Sequence, residues 1–188
     1  MNRVGENVVR IEAQALSDLA DRIAGPMADA FNRGVELLFC CPGRVVVTGM
    51  GKSGLIARKI AATLSSTGTP SLFMHPVEAL HGDLGMLAHG DVVIALSASG
   101  ETDEILQLLA TIKRLRLPLI AITCDELGRE RPANVKSSKA GSQSTLASAA
   151  EVFLSCAVTQ EGCTMGLAPT ASTTAMVALG DALAVAVA

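Results

Sequence analysis

From Pro42-Gly43 onward the chain alternates short aliphatic runs with stretches of helical periodicity, and no other feature restricts its fold as much. The runs are Val45-Val46-Val47, Ser71-Leu72-Phe73-Met74, Val92-Val93-Ile94-Ala95-Leu96, Leu119-Ile120-Ala121-Ile122 and Val152-Phe153-Leu154. Each is apolar at successive positions, as a strand covered on both faces must be. Between them, Leu55 to Leu64 and the set Ile105, Leu108, Leu109, Ile112 and Leu115 carry the apolar stripe of an amphipathic helix. Alternating strand and helix predicts an α/β fold: a doubly wound, mainly five-stranded parallel sheet flanked by helices. Ligands of such sheets bind beyond the carboxyl ends of the strands.

Residues 1–41 precede this unit as helices, because Val8, Ile11, Ala15, Leu19 and Ile23, then Met27, Phe31, Val35 and Leu38, recur at spacings of three and four. Gly25-Pro26 divides the stretch, with Pro26 expected in the first turn of the second helix, where a missing N–H is harmless. With 188 residues the chain is one domain long. Residues 128–144 are rich in Ser, Gly and basic residues and read as an exposed loop or insertion. A last helix, which Pro169 could open, runs to Val187-Ala188 without Gly, Asn or a basic residue to end it, and so reads as a truncation at 188.

Composition narrows the partners. Fifteen basic and eighteen acidic residues give a net charge of −3, without the basic excess a nucleic acid demands, and with no Trp or Tyr there is little to stack bases on. The greasiest segment, Ala175 to Ala188, falls short of the roughly 20 residues that span a bilayer, and no secretory leader is evident, so no membrane partner is expected. Five cysteines without CxxC spacing suggest reduced thiols in the cytoplasm rather than a disulfide framework or a zinc site.

Four segments could carry chemistry. Thr48-Gly49-Met50-Gly51-Lys52-Ser53-Gly54 follows the first strand and opens a helix, where glycines expose N–H groups to an anion and the helix dipole favours negative charge. A purely structural tight turn is an equal reading, since neither common nucleotide-binding motif is met. Ser97-Ala98-Ser99-Gly100-Glu101-Thr102 repeats the arrangement with three hydroxyls, which could hold phosphate or simply cap the helix. His75, Glu78, His81 and Asp83 are dense enough in imidazole and carboxylate to suggest proton transfer at His81 or a metal, although no fixed ligand spacing is present. Glu161, before Cys163 and the Leu167-Ala168-Pro169-Thr170 segment, is either a general base or a surface carboxylate.

Taken together, VVVTGMGKSGLIARKIAATLSSTGTPSLFMHPVEALHGDLGML, IALSASGETDEI and LAPTASTTAMVALGDALAVAV resemble the sugar isomerase domain of arabinose-5-phosphate isomerases, from about Arg10 to Ala188. The resemblance implies interconversion of D-ribulose 5-phosphate and D-arabinose 5-phosphate, the step feeding Kdo synthesis for lipopolysaccharide, with no cofactor and a homotetrameric assembly. It implies Lys52, Glu104 and Glu161 as catalytic residues and Gly51, Ser53, Thr69, His81, Ser97, Ser99, Gly100 and Thr102 as the substrate-binding set. It marks His75 as a position that can take up a metal ion. Full-length members continue into a His-Pro segment and paired regulatory domains, beyond the residues present here. A non-catalytic sugar-phosphate sensor, or an isomerase of another sugar phosphate, are the alternatives.

Overall fold

The computed structural model describes residues 2–127, 143–163 and 165–188. The chain runs α1 (Asn2–Ala24), α2 (Ala28–Phe39), β1 (Val45–Gly49), α3 (Gly51–Ser66), β2 (Ser71–Met74), α4 (Pro76–Leu80), β3 (Val92–Leu96), α5 (Asp103–Leu115), β4 (Leu119–Thr123), α6 (Thr145–Ala149), β5 (Val152–Ser155) and α7 (Ala171–Val187), with a 3-10 turn at Asp83–Met86. The five expected strands form one parallel sheet in the order β2-β1-β3-β4-β5. The order reverses between β1 and β3, which makes the carboxyl ends of those strands the switch point where such sheets bind ligands. The loop or insertion expected over residues 128–144 lies, as far as residue 142, outside the described residues.

Alternation along the strands splits the core in two. Val45, Val47, Ile94, Leu96, Ile120, Ile122, Val152 and Leu154 face α1, α2, α3 and α7, whereas Val46, Val93, Ala95, Leu119 and Ala121 face α4, α5 and α6. Every residue of β1, β3 and β4 is buried, which is why these runs read as continuously apolar. Helix α7 packs against α1, α2 and α3 at once, and its nearly all-round apolar sequence follows from that enclosure. Where α7 crosses α3, a Cβ on Gly180 would come within 2.3 Å of the Ile60 side chain. Gly180→Val should therefore lower stability by about 1–3 kcal/mol, seen as a lower urea midpoint, and an unchanged midpoint would contradict this crossing.

The two prolines expected inside first turns stand just outside them. Pro26 precedes the N-cap Met27, in a turn closed by the Met27 N–H on the Arg22 carbonyl (2.9 Å) and the Ala28 N–H on the Gly25 carbonyl (3.1 Å). Pro169 likewise precedes the N-cap Thr170 of α7. In each case the proline sets the approach to the helix rather than its first turn.

Candidate functional site

All five strands are parallel, so the segments that follow them gather at one edge of the sheet. After β1, Gly49 and Gly54 close the βα turn: a Cβ on either would stand 2.7 Å from a backbone oxygen of the facing segment. Gly51, between them, takes φ +57° with open space where a side chain would project. Only glycine is at ease there, and its bare backbone leaves the first turn of α3 approachable. Lys52 and Ser53 follow in that turn, Lys52 exposed and Ser53 half-buried.

The hydroxyl turn after β3 is built more tightly. Ser97 is buried, shares a hydrogen bond with the Thr102 hydroxyl (2.8 Å), and accepts one from the Gly100 N–H (3.0 Å). Ser99 accepts from the Glu101 N–H (3.2 Å). Thr102 is the N-cap of α5, yet its side chain makes no capping bond to the helix. Helix capping therefore does not explain this hydroxyl, and Ser97 holds the turn's shape from within. Glu104 sits half-buried in the first turn of α5, directly beyond it.

A third layer of support was invisible in the sequence. Gly100, at φ +65°, leaves a Cβ position that falls 1.9 Å from the Ser144 Oγ. Ser144 caps α6, donates to the buried Asp125 carboxylate, and stands where the Leu146 N–H reaches the Gly100 carbonyl (3.1 Å). Asp125 also accepts from Thr123 (2.6 Å), and Glu101 accepts from the Thr145 N–H (2.8 Å). An aspartate three positions beyond the aliphatic run Leu119–Ile122 was the available signal for Asp125. Ser144 carried none, because its partners Gly100 and Asp125 lie 44 and 19 positions away in sequence.

Glu161 is half-buried ahead of α7. Its carboxylate accepts from the Thr170 N–H (2.7 Å), the Thr170 hydroxyl (3.0 Å) and the Ser172 N–H (3.4 Å), and from the Ser172 hydroxyl. Burial opposes its ionisation, but these donors, led by Ser172, outweigh burial and hold the carboxyl below its ordinary value. This is the geometry of a helix-capping carboxylate. Arg22, reaching from α1, donates to the carbonyls of Ser155 (3.4 Å) and Ala157 (2.9 Å) after β5. With Asp18, Glu126, Leu127, Val158 and Thr159 it lines a cavity of about 410 Å3 at the same edge of the sheet.

Two expected residues do not join this assembly. Thr69 precedes β2, so α3 has carried the chain back to the opposite edge, roughly 15 Å away over a strand of this length. Within one chain it cannot meet a ligand held by the turns after β1 and β3, and it instead lines a pocket with Leu38, Gly43 and Val187. His75 begins at the correct edge, as N-cap of α4, and its buried Nδ1 has no hydrogen-bond partner. Yet among the described residues no three His, Cys, Asp or Glu side chains converge, so one imidazole alone does not fit a resident metal. His81, exposed at the far end of α4 before Gly82 at φ +145°, remains available to a ligand.

A doubly wound sheet with an open glycine turn and a buttressed hydroxyl turn at its switch point defines an α/β domain of the kind that holds ligands beyond the carboxyl ends of its strands. The SIS domain profile matches residues 37–129. A structure of an E. coli CFT073 protein in complex with arabinose 5-phosphate superposes with a TM-score of 0.84 at 39% identity, covering 98% of this chain and 88% of that one. The chain belongs to the SIS domain family. Arabinose 5-phosphate isomerase KdsD of Escherichia coli K12 is 50% identical over 184 residues, 98% of this chain. That of Pseudomonas aeruginosa is 51% identical over 169 residues, 90% of this chain. The chain spans about half the length of these curated relatives.

Proposed function

We propose that this chain is the isomerase domain of an enzyme interconverting D-ribulose 5-phosphate and D-arabinose 5-phosphate, in the supply of Kdo for lipopolysaccharide. One observation carries the reading: half of all residues are identical to arabinose 5-phosphate isomerases across nearly the whole chain. The site chemistry agrees with it. The Ser97–Thr102 turn, opening α5 with Ser99, Gly100 and Thr102, receives the phosphate, and the Gly51-Lys52-Ser53 turn faces the sugar. Aldose–ketose isomerisation moves one proton between C1 and C2 and gains or loses no electrons, so a base and an oxyanion donor suffice without a redox cofactor.

Glu104 is the proton carrier in this reading, Lys52 offsets the charge that develops on the enediolate oxygen, and His81 hydrogen-bonds or protonates a sugar oxygen. Glu161 supports the site through α7, because a carboxylate saturated by four donors and held below its ordinary value is a weak base.

A homotetramer in the cytoplasm completes the proposal. Val9, Ala13, Leu16 and Ala20 form a second apolar stripe on α1 at spacings of four, three and four, and all four are exposed in the single chain. Such a stripe suits a helix from another copy. No helix among the described residues is long and apolar enough to cross a membrane.

The decisive experiment is an isomerase assay of the 188-residue chain with D-ribulose 5-phosphate, run beside a calorimetric titration with D-arabinose 5-phosphate. Turnover is expected. Tight binding without turnover would favour a sugar-phosphate sensor, and failure to bind either sugar would overturn the reading.

A further inference from the structure

Beyond the residues used so far, β4 and β5 leave the sheet side by side, with Thr123 paired to Ser155. The next residue on each is a cysteine. Cys124 and Cys156 project to the same face of the sheet, their sulfurs 3.6 Å apart and in hydrogen-bond contact. Adjacent strands run about 4.8 Å apart, inside the roughly 4.4–6.8 Å between Cα atoms that a disulfide spans. The two thiols are unequal: Cys124 is half-buried, whereas Cys156 is fully enclosed, with its thiol donating to the Thr123 carbonyl (3.2 Å). Its hydrogen bond with Cys124 and its burial together push the Cys156 thiol well up, so Cys124 is the sulfur that an oxidant meets first.

Cys124 is also tied to the hydroxyl turn. Its backbone N–H donates to the Ala98 carbonyl (3.0 Å), between Ser97 and Ser99, while the Cys156 N–H holds the Thr123 carbonyl (2.8 Å). Any shift of Cys124 toward Cys156 is therefore felt in the Ser97–Thr102 turn. We propose that Cys124 and Cys156 are an oxidation site at which a hydroperoxide makes a disulfide, and that this disulfide loosens the anion-binding turn.

The chemistry balances in two steps. Hydrogen peroxide takes Cys124–SH to Cys124–SOH and releases water. The Cys156 sulfur then attacks the Cys124 sulfur, the S–S bond forms, the S–O bond breaks, and a second water leaves. A thiol reductant reverses the change. The effect on ligand affinity rests on the proposed sugar-phosphate function, whereas the cross-link itself does not.

The test is to treat the chain with a small excess of hydrogen peroxide and map its peptides by mass spectrometry. Free thiols should fall from five to three, with a mass loss of about 2 Da in a Cys124–Cys156 cross-linked pair. Amide exchange over residues 98–102 should then quicken, and D-arabinose 5-phosphate should bind roughly fivefold or more weakly, both reversed by dithiothreitol. Cys124→Ser and, separately, Cys156→Ala should be unresponsive.

Oxidation confined to Cys40, Cys41 or Cys163, with this pair intact, would overturn the site. A cross-link that leaves exchange of the turn unchanged would overturn the coupling. If the cross-link forms and exchange quickens but the reduced chain binds no sugar phosphate, the oxidation site and its coupling stand and the functional reading falls.

Discussion

Gly100→Ala should weaken D-arabinose 5-phosphate binding by roughly tenfold or more and lower stability by about 3 kcal/mol. The backbone at Gly100 has φ +65°, a region that L side chains occupy only under strain. The new Cβ would stand 1.9 Å from the Ser144 Oγ and 2.4 Å from its Cβ. Ser144 has little freedom to retreat, since it is buried, donates to Asp125, and accepts from the Ala147 N–H (3.3 Å) as the cap of α6. The turn must move instead, and with it Ser99 and Thr102. Calorimetric titration and a urea midpoint read the two effects. Gly100→Ala/Ser144→Gly should regain part of the stability by relieving the collision and leaving the backbone strain. Wild-type affinity and midpoint in Gly100→Ala would dismiss the buttress.

The two glutamates should separate just as clearly. Glu104→Gln is expected to lower kcat by roughly 10²–10⁴-fold, the usual loss of a general base, with KM changed far less. Glu161→Gln should keep kcat within roughly tenfold and show its effect in stability, because what it disturbs is the network closing the start of α7. The pH dependence has a definite sign. Glu161 is held below its ordinary value of 4.5 in the folded chain, so its contribution is complete above that pH and disappears as pH falls through the lower folded value. A series of urea midpoints from about pH 7 to about pH 3 should show wild type losing stability more steeply than Glu161→Gln at the acid end. Parallel profiles would remove the capping role, and a kcat collapse in Glu161→Gln alone would exchange the assignments of the two glutamates.

Much of the architecture was legible because it depends on local periodicity. The five aliphatic runs include three strands buried along their whole length, and that double burial left them no room to alternate polar with apolar residues. The glycines at 49, 51 and 54 announced a tight turn, and each has its reason: two meet opposing backbone and one takes a left-handed angle. Pro26 and Pro169 stand one step further out than the pattern around them suggests, since a proline before the N-cap and one just after it leave nearly the same local signature. Thr69 stands away from the turns for a different reason. Its neighbourhood in sequence matches the site's motifs, but in a parallel sheet each crossover helix returns the chain to the far edge, so closeness along the chain becomes distance in space.

The sequence by itself determined the doubly wound sheet, its buried strands and the two turns at its switch point, because those follow from short-range pattern and backbone chemistry. Only the tertiary structure decided what holds the turns in place and which donors surround the Glu161 carboxylate. Ser144 fills the space that Gly100 leaves, Arg22 fastens α1 to the loop after β5, and Glu161 spends its oxygens on Thr170 and Ser172. The Gly100–Ser144 and Arg22–Ala157 contacts join residues 44 and 135 positions apart. Neither has a periodic signature, and even the nearer Glu161 bonds depend on how the start of α7 is packed, so such contacts exist only once the sheet has brought its strand ends together.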